Sequence, residues 1–172
     1  MINDTFVGAD TSLRKTGMCV LESKYVFLYL IETKKLRGAR RLSYIGDAAR
    51  GILEDHSTPD IGAIEAGAYN AGGRVFQLGQ VQGIVQQELY HTGADILEIS
   101  PTRLKKFFAN HGSAGKEKMV NKAEELLGSE VPGDDLADAF ALAHLAEAFR
   151  AEKPRTRKQA EVLLDIELEE AV

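Results

Sequence analysis

Among its 172 residues the chain has a single cysteine, Cys19. One thiol forms neither an internal disulfide nor a cysteine-based zinc site, so the fold must rest on packing, and a reducing compartment, the cytoplasm, is expected. Cys19 lies between Met18 and Val20 in an apolar segment, which marks it as a small core residue and not a nucleophile. No apolar run approaches the roughly 20 residues that span a bilayer. Asn3 and Asp4 stand ahead of the first apolar segment, so neither a membrane partner nor a secretory leader is expected. Internal repeats, low-complexity tracts and any linker before Lys153-Pro154 are also lacking. With 44% hydrophobic and 27% charged residues, what remains is the profile of one globular domain.

An excess of positive charge is lacking too: 21 Lys and Arg stand against 26 Asp and Glu, a net charge of -5. A polyanionic partner is not thereby excluded, because the charges are segregated. Arg103, Lys105, Lys106, Lys116, Lys118 and Lys122 face one acid, Glu117, between positions 101 and 122. Lys34, Lys35, Arg37, Arg40, Arg41 and Arg50 face only Asp47 between 34 and 50. The final dozen residues hold Glu161, Asp165, Glu167, Glu169 and Glu170 and no base. Charges in contact with a phosphate decide its affinity, whereas those beyond about 10 Å are screened.

The hydrophobic pattern predicts three consecutive strands over 5–10, 17–22 and 25–31, joined by short polar turns as an antiparallel meander. A helix over 36–53 follows, its apolar positions Leu42, Ile45, Ala49 and Leu53 at helical spacing. Ile61 to Glu65 is a short strand, and the small-residue loop behind it carries one aromatic, Tyr69. Residues 75–91 form the clearest helix, with Leu78, Val81, Val85 and Leu89 as a stripe. Its Gly79 and Gly83, each costing roughly 1 kcal/mol relative to Ala, point to close approach by the sheet or by a second copy of the chain. Asp95 to Ile99 is a fifth strand; Ser100 and Pro101 then cap and open a helix over 102–109. Further helices are predicted over 117–127 and 135–149. The order gives an α/β fold, a five-stranded mixed sheet of three antiparallel strands and then two parallel ones, flanked by helices. A domain over 1–152 and a tail over 153–172 are expected, the tail helical over 156–170.

Four acids hold informative places. Asp10 and Glu65 end two strands; Asp135 and Asp138 stand three apart near a helix start and so share a face. Asp134 offers an alternative to Asp135. Alanines at 137, 139, 141 and 143 keep this helix slim enough to lie close to a sheet. Carboxylates converging at one point repel one another unless a cation intervenes, and an all-oxygen ligand set favours a hard ion such as Mg²⁺. Two such ions can activate water for phosphodiester hydrolysis. The basic residues after the fifth strand flank the glycine-containing loop 110–116, where backbone N–H groups and ammonium ions can share a phosphate.

In series these segments resemble a known family. Gly8-Ala9-Asp10-Thr11-Ser12-Leu13-Arg14-Lys15-Thr16-Gly17, Ile64-Glu65, Leu78-Gly79-Gln80-Val81-Gln82-Gly83, Gly112-Ser113-Ala114-Gly115-Lys116 and Asp135-Leu136-Ala137-Asp138 are similar, in order and spacing, to RuvC-type Holliday junction resolvases of the ribonuclease H-like superfamily. The compact chain looks like phage-type members, which would place it in a host cytoplasm. The resemblance implies a ribonuclease H-like fold and two Mg²⁺ ions, replaceable by Mn²⁺, on Asp10, Glu65, Asp135 and Asp138. It also implies a catalytic Lys116 and a homodimer through the helix 75–91, which would nick a four-way DNA junction in pairs. DNA contacts are expected from Ser12, Arg14, Lys15, Tyr69, Arg74, Arg103, Lys105, Lys106, Lys116 and Lys118. Two rivals remain: a junction-binding protein that has lost catalysis, and a nucleotide-binding lobe of the actin and sugar-kinase type, whose strand-Asp-turn-Gly opening is shared.

Overall fold

The structure, a computed structural model, describes residues 4–67, 72–166 and 168–169. Its first three strands form the expected meander. β1 (Thr5–Thr11) pairs antiparallel with β2 (Lys15–Glu22), and β2 with β3 (Tyr25–Glu32). β2 starts two residues earlier than its apolar run, because the Ser12 hydroxyl donates to the Lys15 carbonyl at 2.5 Å and accepts the Lys15 N–H at 3.1 Å, which makes the turn tight. β4 (Ile61–Glu65) runs parallel to β1, and β5 (Asp95–Ile99) parallel to β4. The five-stranded mixed sheet is therefore present. The tail adds a two-residue edge strand, β6 (Leu168–Glu169), antiparallel to β5, for an order β3-β2-β1-β4-β5-β6.

Helices cover both faces, as buried parallel strands require. On one face α1 (Gly38–Glu54) and α2 (Val75–His91) bring Ile45, Ala49, Leu53, Val81, Val85 and Leu89 onto Val7, Ala9, Met18 and Val20. On the other, α3 (Pro101–Ala109), α4 (Lys116–Leu127) and α5 (Asp134–Ala151) pack on Phe6, Cys19, Leu21, Ile61 and Ala63. Cys19 is fully buried here, and burial pushes its thiol up, which fits a packing role. Among the described residues no helix is long and apolar enough to cross a membrane.

Two details of α2 lie beyond the apolar pattern. Glu88, 4% exposed, is held by Arg50 of α1 through two hydrogen bonds of 2.9 and 3.0 Å. Gly79 and Gly83 face open space, since a Cβ on either would meet nothing within 4 Å. The sheet is therefore not what they accommodate.

The tail helix is shorter than its sequence suggests. α6 (Arg157–Leu164) starts at a Thr156 cap and stops at Asp165. Ile166 then turns onto the core and Leu168 pairs with Leu97, so burial and ladder hydrogen bonds win over further helical turns. α6 lies on α3: the Gln159 amide donates to the Phe107 carbonyl at 3.4 Å, and Lys106 pairs with Glu161 at 2.9 Å.

Candidate active site

Side chains alternate along a strand, so position decides which face each acid meets. In β1, Phe6 and Gly8 face α5, and Asp10 follows with the same parity. In β4, Ile61 and Ala63 face the same way, and Glu65 follows. The parallel register sets Ala9 beside Ile64, so the next residues, Asp10 and Glu65, leave adjacent strands at one level.

The sheet then receives α5 at unusually close range. A Cβ at Gly8 would lie 2.0 Å from the Ala139 carbonyl oxygen and 2.4 Å from the Ala143 nitrogen, and one at Gly17 would lie 2.2 Å from the Asp135 carbonyl oxygen. Only hydrogen fits at either place. Ala137, Ala139, Ala141 and Ala143 of this helix are all fully buried, as the run of small side chains implies. Gly17 stands opposite Asp10 in the ladder, so main-chain contact on Gly17 seats the first turn of α5, with Asp135 and Asp138, beside Asp10.

The electrostatics record this convergence. Burial, then Glu65, Asp138, Asp135 and Asp134 in that order, push the Asp10 carboxyl from 3.8 to about 8. Burial and then Asp138 push Glu65 to about 7, while the Lys105 ammonium pulls it back. Asp138 rises to about 6, mainly through burial, with Lys105 and Lys116 opposing. Three carboxyls with such raised values cannot all ionise near neutral pH unless positive charge replaces their protons. The Asp138 Oδ1 atom is buried and has no hydrogen-bond partner among the described residues, as an oxygen meant for an ion would be. The donor set of hard carboxylate oxygens suits a divalent cation with oxygen preference. Among the described residues no three such side chains already stand as a closed ligand cage.

Lys116 begins α4 and pairs with Asp134 at the start of α5, which draws Asp134 below the usual carboxylate range. Asp134, an alternative ligand by its sequence position, thus has a lysine as its neighbour. Arg14 and Lys15 stand exposed on the β1–β2 turn, with Lys15 3.9 Å from Glu32, while the Ser12 hydroxyl is spent inside that turn. Arg103 is half-buried in the first turn of α3, and Arg74 is exposed in the 3-10 turn (Gly72–Arg74) before α2. Lys106 is committed to Glu161, and Lys118 lines a separate cleft with Phe108, Asn110 and Asn121. Neither joins the carboxylates. Tyr69 lies outside the described residues. The pairing of Lys116 with Asp134 has no signature in the sequence, since the two are 18 positions apart and nothing in either helix announces the other.

Known proteins are similar to this chain over most of its length. The family model for crossover junction endodeoxyribonuclease RuvC matches residues 6–145. The RuvC of Hydrogenovibrio crunogenus is 32% identical over 142 residues, covering 78% of this chain and 82% of that protein. That of Paraburkholderia phytofirmans is 33% identical over 144 residues, covering 80% and 79%. The structure of Thermus thermophilus RuvC superposes with a TM-score of 0.70 at 25% identity, over 86% of this chain and 95% of that one. The T. thermophilus RuvC structure in complex with Holliday junction substrate gives 0.72 at 24% identity, and the yeast mitochondrial Holliday junction resolvase Ydc2 gives 0.56 at 14%; both show the shared fold. A family match running from β1 well into α5 takes in all four acids, and with it the chain belongs to the RuvC family of crossover junction endodeoxyribonucleases.

Proposed function

We propose that the chain is a metal-dependent endonuclease that resolves Holliday junctions, and cuts other branched DNA, by paired hydrolysis of symmetric phosphodiesters. The observation that carries this reading is the convergence of Asp10, Glu65 and Asp138, with Asp135 beside them, into a half-buried cluster that does not ionise fully near neutral pH without a cation. These four residues would hold two Mg²⁺ ions, with Mn²⁺ able to substitute. When bound, such ions supply activation of water and neutralisation of charge on the phosphate.

The chain's own residues provide the frame. Main-chain seating of α5 on Gly8 and Gly17 fixes the acids relative to one another before substrate arrives. Lys105, which acts electrostatically on Glu65 and Asp138, and Lys116, beside Asp134, would hold the scissile phosphate next to the acids. Arg14, Lys15, Arg74 and Arg103 would contact neighbouring phosphates, and Tyr69 would stack on bases at the crossover. Pairing of α2 helices through the open faces of Gly79 and Gly83 would give a two-fold dimer with one site for each symmetry-related strand. The site of action follows the DNA, in the cytoplasm of a bacterium or, for a phage-encoded chain, of its host.

End-labelled four-way junctions, forks, flaps and linear duplex, each incubated with Mg²⁺ and mapped for cuts, test this. Symmetric nicks in opposed strands of the junction, with linear duplex intact, are expected. Equal cutting of linear duplex would refute branch selectivity, and tight junction binding without cutting would favour the binding-only rival.

A further inference from the structure

Of the two basic clusters in the sequence, the one around α3 and α4 is partly neutralised in the fold: Lys106 pairs with Glu161, Lys116 with Asp134 and Lys122 with Glu125. The other is not. Lys34, Lys35, Arg37 and Arg40 are exposed, and their side chains make no ion pair or hydrogen bond with any described residue. Of their charged neighbours, Asp47 is engaged by Ser43 and Arg50, and Glu32 stands 3.9 Å from Lys15.

This second cluster is fastened to the active-site end of the sheet. Thr33, 1% exposed, donates its backbone N–H to the Arg14 carbonyl at 3.0 Å and its hydroxyl to the Leu13 carbonyl at 2.9 Å. The Leu36 N–H bonds back to the Thr33 carbonyl at 2.8 Å, and the Leu36 carbonyl accepts from the Arg41 Nε at 3.0 Å. The chain between β3 and α1 is thus tied to the β1–β2 turn that follows Asp10. β3 lies two strands from β1, about 10 Å across the sheet. Lys105 and Lys116 belong to helices on the opposite face, so the acids lie between two basic regions.

Resting on the nuclease reading above, we propose that Lys34, Lys35, Arg37 and Arg40 form a phosphate track that holds a duplex arm of the DNA substrate beyond the cleavage site. Duplex DNA presents one charge per roughly 1.7 Å of axis, so a patch of this extent meets several phosphates at once. Phosphate contacts carry no sequence information, so the track is indifferent to sequence. Its contribution is to affinity and placement; the chemistry stays with the acids.

The test is the salt dependence of junction binding by the full chain in Ca²⁺, followed by single-turnover cleavage in Mg²⁺. For Lys34→Ala/Lys35→Ala/Arg37→Ala the slope of log affinity against log salt should flatten by about 2–3, and binding at about 100 mM salt should weaken about tenfold or more. Cleavage at saturating protein should keep the parent's rate. The charge-preserving Lys34→Arg/Lys35→Arg/Arg37→Lys variant should match the parent, which separates lost charge from altered backbone. Lys153→Ala/Arg155→Ala/Arg157→Ala, the same charge removed from the tail, should leave the slope unchanged. An unchanged slope in the first variant, or an equal loss in the tail variant, overturns the track. Failure of the parent itself to bind branched DNA overturns instead the functional reading on which the track rests.

Discussion

Replacing Asp10 by Asn should make the metal-free protein more stable while destroying its activity. Without a cation, Asp10 is lifted from 3.8 to about 8 by burial and by its acidic neighbours. The native state then binds the proton more tightly than the unfolded chain does. The associated stability is fully present below about pH 4 and is lost as pH rises through about 8. Each tenfold difference in proton affinity between the two states corresponds to about 1.36 kcal/mol, so the full cost of ionising Asp10 is several kcal/mol; relaxation and water entry reduce it to about 3 kcal/mol at pH 8. Asn keeps the shape and never ionises, so Asp10→Asn should recover that amount, worth about 6–12 °C in Tm for a chain of this length. The assay is thermal unfolding in EDTA from about pH 4.5 to 8.5, beside junction nicking and binding. The gain should shrink steeply toward the acid end of that range, as pH nears the unfolded chain's 3.8, and nicking should be abolished with binding retained. A variant less stable than its parent at the alkaline end, or a gain independent of pH, would refute the argument; substantial residual cleavage would remove Asp10 from the site.

Three further outcomes follow from the geometry. Gly17→Ala should cost about 2–3 kcal/mol in urea unfolding and most of the activity, because its methyl would meet the Asp135 carbonyl at 2.2 Å; a silent substitution would mean that α5 is not seated there. Gly79→Ala/Gly83→Ala should gain up to about 1 kcal/mol per site in helix propensity within one chain yet weaken self-association, so an undiminished dimer in sedimentation would exclude α2 as the interface. Lys116→Ala should reduce single-turnover cleavage on the order of 100-fold. Its solvent-exposed pair with Asp134 is worth less than about 1 kcal/mol, so urea unfolding should barely move, and a large loss of stability would make Lys116 structural.

Much of this fold is legible in the order of residues because its elements obey simple periods. The apolar spacing of Val81, Val85 and Leu89 sets α2, and the Ser100-Pro101 pair starts α3 where capping chemistry says it should. The acids are legible for a different reason: strand ends and a two-Asp helix face are positions, and the run of alanines announces that this helix approaches closely. Contacts between distant side chains carry no such signature. Glu88 looks like a solvated helical acid until Arg50 of α1 is placed beside it. Lys106 looks like a DNA ligand until α6 supplies Glu161. The end of α6 is decided by what Ile166 can bury and by the ladder that Leu168 joins, which helix periodicity does not encode.

The seating of α5 on Gly8 and Gly17 also governs when this chain becomes dangerous to DNA. Its acids come from positions 10, 65, 135 and 138, and the last two reach the first only through main-chain contact across the folded sheet. A nascent chain lacking α5, or a native molecule from which that helix has peeled away, has no assembled cluster to concentrate metal ions on a phosphate. Nicking ability therefore appears and disappears with the cooperative unit of strands and helix.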